Sequence, residues 1–346
     1  MVRFVAGILI SACALAAGRD IVVIDTDSGL FGDDGAAVVM LLRSPEAASV
    51  PGLVVTPGNV WPPQGAEYMF HILDLLDRPD VPIYASAETP LLHTAAMSRE
   101  AGRRWGALSY AGAFTLNPAE VKPAPGAELT DRKARGGAVE FLIGEVERRP
   151  GQVTVLEIAP MTNLALALRL KPDIETKIKR VVFMGGAIGA PGNASAAAEF
   201  NFWFDPEAAR AVLRSRIPEK VMFGLDICNT APIRKAEFDQ IASAATPIAN
   251  LFREDFGNRY PAFLKNPRGT AYLWDSLAAG YLLDPAIVTR SETRYLDVET
   301  AWGKTYGATV PLDRAATPDA TPVQVMLKLD YPRAFALYRD LLTRKE

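Results

Sequence analysis

Short apolar runs alternate with stretches whose apolar positions recur at helical spacing along most of this chain. Residues 21–24 are four apolar β-branched residues in a row, the pattern of a strand buried on both faces. An acid- and glycine-rich stretch follows, and the apolar run 36–42 then predicts a helix. Residues 52–56 read as a second strand ending in a Pro57-Gly58-Asn59 turn. Met69, Phe70, Ile72, Leu73, Leu75 and Leu76 give residues 64–76 a helical period, and 81–85 a short strand follows. Residues 88–125 are irregular, rich in Ala, Gly and Pro, and a segment of that kind in a compact domain is often a functional loop. Alternation resumes with a helix over 136–148, a strand over 153–158, a helix over 164–170 and a strand over 181–184. Asp205-Pro206 supplies an N-cap and a first-turn proline for a helix to residue 213. A strand at 221–225 precedes a mostly helical stretch, 231–283. Strands near 295–300, 308–312 and 323–329 and a terminal helix over 332–342 complete the chain.

Strands alternating with helices in this way predict an α/β fold around an open, mainly parallel sheet flanked by helices, with the late strands as an antiparallel edge. Composition agrees: 49% hydrophobic and 22% charged residues over 346 positions suit a folded protein with a large core. No linker-like shift divides residues 20–346, which read as one domain. A net charge of −3 leaves no basic surplus, which argues against a nucleic-acid partner held through phosphates.

The first residues read differently. Arg3, an apolar run over 4–15 and the small residues Ala16-Ala17-Gly18 form a secretory signal pattern, with residues 1–17 removed on export to a periplasmic or secreted destination. The run is too short for a stable membrane span. Ile10-Ser11-Ala12-Cys13 also resembles a lipoprotein processing site that would lipidate Cys13, a reading ranked lower because the apolar run is short and the first core strand follows almost at once. A buried first element is the rival to both. Removing the leader leaves Cys228 as the one thiol, a small buried core residue by this reading.

The chemistry gathers at strand ends. Asp25, Asp27, Asp33 and Asp34 follow the first strand and Asn59 the second; Thr162 and Asn163 follow the strand ending at Ile158; Asn193, Glu199 and Asn201 follow the strand ending at Met184. Ligands of open α/β sheets bind at the carboxyl ends of strands, so these groups would line one edge of one sheet. Packing the acids there without a cation would be repulsive, and hard oxygen ligands favour Ca²⁺ or Mg²⁺. An Asp-rich turn with a capping Asp is the bland alternative.

Three motifs make the sequence resemble the nucleoside hydrolases, calcium-dependent N-ribohydrolases typified by inosine–uridine-preferring enzymes. These are Asp25-Thr26-Asp27 with the later Asp33-Asp34, the run Ala159-Pro160-Met161-Thr162-Asn163-Leu164-Ala165 with Met184-Gly185-Gly186, and Gly192-Asn193 with Ala198-Glu199-Phe200-Asn201 and Asp205-Pro206. The resemblance implies the Rossmann-like fold of that family and hydrolysis of ribonucleosides to ribose and free base. It implies that Asp27, Asp34, Asp275 and the Ile158 carbonyl bind Ca²⁺, and that Asp27 is the base activating the calcium-bound water. Asp33 and Asn201 would hold the ribose hydroxyls, Asn193 and Glu199 the 5′ side, and Asn59 would support the first cluster. Homo-oligomers, dimers or tetramers, are common in the family.

The chain departs from the family pattern at two places. Leu30-Phe31-Gly32 lengthens the spacing between Asp27 and the Asp33-Asp34 pair. Trp274 stands where pyrimidine-active relatives carry a histidine before the last metal-binding Asp, and His71 and His93 are the only histidines, on a core helix and in the irregular loop. Tryptophan resembles the purine-preferring branch, with the base stacked between Trp274 and a second ring, for which Trp105 is the candidate. Two rival readings are a non-catalytic exported nucleoside- or sugar-binding protein on the same scaffold and a haloacid-dehalogenase-like phosphatase. The phosphatase reading lacks its later lysine and acidic pair.

Overall fold

The computed structural model describes residues 19–106, 108–259 and 271–345; the leader and Cys13 lie outside them. Strand β1 (Asp20–Thr26) leads to helix α1 (Gly32–Leu42), then β2 (Ala48–Ser49), β3 (Leu53–Val55), α2 (Pro62–Leu75) and β4 (Ile83–Ala85). Next come α3 (Ala95–Trp105), α4 (Ala138–Arg148), β5 (Val153–Ile158), α5 (Thr162–Leu170) and β6 (Arg180–Met184). The short α6 (Phe200–Phe204) runs into α7 (Pro206–Arg214), followed by β7 (Lys220–Phe223), α8 (Leu225–Cys228) and β8 (Pro232–Ile233). The remainder is α9 (Lys235–Ala242), α10 (Pro247–Arg259), β9 (Ala271–Tyr272), α11 (Asp275–Leu283), β10 (Val288–Val298), β11 (Thr309–Pro311), β12 (Pro322–Leu329) and α12 (Tyr331–Thr343).

The main sheet runs β11-β10-β12-β7-β6-β5-β1-β3-β4, with β2 also paired to β1. Every pairing from β12 to β4 is parallel, and β10 joins β12 and β11 antiparallel, which is the predicted edge. Alternate residues of β1 feed two separate cores. Val22 and Ile24 pack with α1, α2 and α9 to α12, whereas Val23 packs with α4, α5 and α7. Helices therefore cover both faces, the arrangement that lets a parallel sheet be apolar on each side. No helix among the described residues is long and apolar enough to cross a membrane.

The boundaries that differ from expectation matter for the site. α1 begins at Gly32, so Asp33 and Asp34 stand in its first turn, where the helix dipole favours carboxylates. α5 likewise begins at Thr162. The irregular segment contains an amphipathic helix, α3, whose buried residues are Ser98 and Ala101, and a 3₁₀ turn at Gly112–Thr115. α6 was hidden because Phe200, Asn201, Phe202, Trp203 and Phe204 are all buried, which removes any periodicity.

Candidate active site

β1, β5 and β6 end side by side in register, Thr26 opposite Ile158 and Glu157 opposite Phe183. A cavity of about 520 Å³ opens at these ends, lined by Asp27, Gly29, Asp33, Asn59, Val60, Tyr110, Ile158, Met184, Asn193, Glu199, Phe200, Asn201, Trp274 and Asp275. Its size suits a small ligand, and its lining mixes apolar walls with convergent polar groups.

Asp27 is held from one side by the Asn59 turn. The Asn59 backbone N–H donates to Asp27 Oδ2 at 2.7 Å, and its Nδ2 donates to Asp27 Oδ1 at 3.0 Å and Asp34 Oδ2 at 3.2 Å. Thr26 Oγ1 donates to Asp34 Oδ1 at 2.6 Å. Only glycine fits before Asn59, since a Cβ on Gly58 would lie 1.8 Å from Asp27 Oδ2. Asp275 opens α11, and Ser276 Oγ donates to the Asp33 carbonyl at 3.2 Å, so the starts of α1 and α11 abut. Among the described residues, Asp33, Asp34 and Asp275 form a group whose carboxylate oxygens lie within 4.8 Å of one another.

Electrostatics show what such a group requires. Burial, then the neighbouring Asp34 charge, pushes the Asp27 carboxyl well above the ordinary range. Asp275 is raised by burial and then by Asp33, Asp34 and Asp27. Like charges crowded in a low dielectric resist ionisation unless a cation compensates them. An all-oxygen donor set of this kind fits a hard divalent ion such as Ca²⁺.

The opposite wall is built by α6. Glu199 caps that helix, accepting from Asn201 N at 2.9 Å and Phe202 N at 3.1 Å, and it also accepts from Gly186 N at 2.8 Å. Burial still pushes its carboxyl up to about 7 against those bonds. Asn193 Oδ1 accepts from Phe200 N at 2.8 Å, and Asn201 Nδ2 donates to the Met184 carbonyl at 3.0 Å. Trp274 forms the rim beside Asp275 with φ of 22°, a conformation that a bulky residue adopts only when its surroundings impose it.

Most of the predicted residues therefore come together at the cavity, but Asp25, Asp34, Trp105, Thr162 and Asn163 do not line it. Asp34 stands behind the cavity wall, 1% exposed and joined to it through Asn59. Trp105 does not line the cavity; at the end of α3 its ring meets Trp302 at 5.3 Å, so the second-ring assignment is corrected. The aromatic residues that do line the cavity beside Trp274 are Phe200 and Tyr110. Phe200 was hidden inside a motif and Tyr110 inside the irregular segment.

Thr162 and Asn163 also stay out of the cavity. Thr162 Oγ1 donates to Asp205 Oδ2 at 2.7 Å, and Asn163 Nδ2 donates to Thr56 Oγ1 at 2.6 Å, bracing the loops beneath the site. Asp25 lies one layer deeper, accepting from Thr56 Oγ1 at 2.6 Å and raised by burial to about 7. His71 is half-buried on α2, and Cys228 is buried as expected. His93 lies in an aromatic cluster away from the cavity.

Comparison with known proteins points the same way. Residues 22–336 match the family described as inosine-uridine preferring nucleoside hydrolase. The pyrimidine-specific ribonucleoside hydrolase RihA of Salmonella schwarzengrund is 34% identical over 311 residues, covering 89% of this chain and 94% of its own. An inosine-guanosine nucleoside hydrolase structure superposes with a TM-score of 0.77 at 26% identity, over 95% of this chain and 100% of the other. The purine-preferring ribonucleoside hydrolase from Gardnerella vaginalis gives 0.74 at 26% identity, over 94% and 98%.

Proposed function

The chain belongs to the inosine-uridine preferring nucleoside hydrolase family, and on that premise we propose that it hydrolyses the N-glycosidic bond of ribonucleosides, purine nucleosides foremost, with Asp27 as general base. The observation that carries this reading is the cavity at the strand ends, with buried carboxylates on one wall and Asn193, Glu199 and Asn201 on the other.

Asp27, Asp34 and Asp275, with the Ile158 carbonyl, would hold Ca²⁺; when bound, the ion supplies a Lewis acid that lowers the pKa of a water at neutral pH. Asp27 would take the proton of the water that attacks C1′, and the C–N bond would break with its electron pair leaving on the base. Asn59 keeps both Asp27 oxygens occupied and so fixes the direction in which the proton is accepted. Asp33 and Asn201 orient the ribose hydroxyls, and Asn193 and Glu199 hold the 5′ side. Positive charge develops on the ribosyl ring as the bond lengthens, and the surrounding carboxylates stabilise it.

The rim supports the purine reading. Trp274 offers a flat face to a base, Phe200 and Tyr110 add further aromatic surface, and no histidine lines the cavity to protonate a pyrimidine leaving group. Pyrimidine preference is the second reading, favoured by the 34% identity to a pyrimidine-specific enzyme. Initial rates of ribose release from inosine, adenosine, guanosine, uridine and cytidine in parallel decide between them. The purines should be fastest; faster uridine than any purine would replace the first reading with the second.

Export belongs to the same proposal. The signal-like leader would place the enzyme outside the cytoplasm, where it would meet extracellular or periplasmic nucleosides.

A further inference from the structure

Tyr110 lines the cavity, and the reaction as described uses its ring but gives its hydroxyl no task. Its hydroxyl donates to Asn59 Oδ1 at 2.8 Å. An asparagine amide has one accepting and one donating end. The donating end of Asn59 faces Asp27 Oδ1 and Asp34 Oδ2, and Tyr110 occupies the accepting end. A hydroxyl, an amide and two carboxylates thus form one chain of hydrogen bonds. Donation to the amide oxygen strengthens the N–H donors at the other end.

The backbone around Tyr110 is built to deliver that hydroxyl. Ser109 N donates to the Ala194 carbonyl at 2.9 Å on one side, and Ala113 N donates to the Gly58 carbonyl at 2.8 Å on the other. Gly112 has φ of 50°, and a Cβ there would lie 2.4 Å from the Gly58 carbonyl oxygen and 2.6 Å from the Phe200 ring. The segment is therefore seated directly on the turn that carries Asn59. The Tyr110 ring lies 4.7 Å from that of Phe200, which orients it, while the residue remains 43% exposed at the cavity mouth.

We propose that Tyr110 is a positioning residue: its hydroxyl fixes the Asn59 amide and, through it, the carboxylates of Asp27 and Asp34. The irregular segment between β4 and α4 thereby becomes part of the catalytic apparatus as well as its cover. This rests on the reading of Asp27 as the base, so the test carries one arm that does not depend on turnover.

Wild type, Tyr110→Phe, Asn59→Ala and the double variant are compared for kcat and KM on the best nucleoside, and for Ca²⁺ affinity by competition with a chelating indicator. Tyr110→Phe keeps the ring on Phe200 and removes one hydrogen bond. It should lower kcat about three- to tenfold, with KM within about twofold, and weaken Ca²⁺ binding by a similar factor. In the Asn59→Ala background the same substitution should change neither quantity, because the group through which Tyr110 acts is already gone. An equal loss in both backgrounds, or no loss in either, overturns the proposal. If the wild type cleaves no nucleoside, the functional reading has failed, and the Ca²⁺ arm alone decides: weaker binding in Tyr110→Phe that vanishes without Asn59 upholds positioning, and unchanged affinity overturns it.

Discussion

His93 is one of the two histidines in the chain, and its surroundings decide its role. It is 1% exposed, with its ring 4.8 Å from Phe114, 4.6 Å from Trp203 and 5.2 Å from Tyr306. Nδ1 contacts the Trp203 carbonyl at 3.1 Å, whereas Nε2 is buried without a partner. Burial lowers its pKa from 6.5 to about 4, so the ring is neutral at pH 7. Below pH 6.5 the unfolded chain takes up a proton that the folded one refuses. The stability contributed by the neutral ring is complete above that value and falls as pH drops toward 4. Between pH 7.5 and 5 the loss is about 2 kcal/mol. Urea denaturation at the two pH values should show wild type losing that much more than His93→Phe; identical losses would mean that His93 is not the group responsible. The sequence showed a histidine in a loop and nothing of this environment, because Phe114, Trp203, Trp302 and Tyr306 come from three separate stretches of chain.

At the scale of elements, the Leu30-Phe31-Gly32 insertion is firmly anchored. Phe31 is fully buried and meets Phe252 of α10 edge-on at 6.1 Å. Gly32 N donates to Asp255 Oδ2 at 2.8 Å, and Ser28 Oγ donates to the Leu30 carbonyl at 3.0 Å. Leu30 (φ 101°) and Gly32 (φ 53°) turn the chain through left-handed backbone so that Asp33 and Asp34 enter α1 next to Asp275. Phe31→Ala should therefore cost about 3–5 kcal/mol in denaturant unfolding, the usual loss for a buried aromatic ring. A loss below about 1 kcal/mol would mean that the loop packs without its anchor. Strands were legible where β-branched runs are buried on both faces, as in β1, β5 and β6. α3 was not, since a helix that buries only Ser98 and Ala101 carries few large apolar residues among its Ala, Gly and Arg. The site residues at strand ends were legible through motif and parallel topology together. Trp105 on Trp302 was misread because a sequence carries order along the chain but not side-chain direction.

The whole molecule explains why such distant residues form one site. A parallel sheet covered on both faces leaves its strand ends as the place where polar groups can gather without breaking either core. β1, β5 and β6 supply the floor, the Asn59 turn and α6 the walls, and the start of α11 the rim. A phosphatase of the dehalogenase type would use an Asp nucleophile beside a lysine, and among the described residues no lysine lines this cavity. A pure binding protein would have no need for a buried carboxyl held by Asn59 and crowded by other acids. The measurement that tests the central claim most directly is ribose release by wild type and Asp27→Ala, side by side with Ca²⁺ present and with circular dichroism showing both folded. The account predicts turnover by wild type and a loss of at least about 10²–10⁴-fold in the variant. Near-normal activity in Asp27→Ala, or no nucleoside cleaved by the wild type, would contradict it.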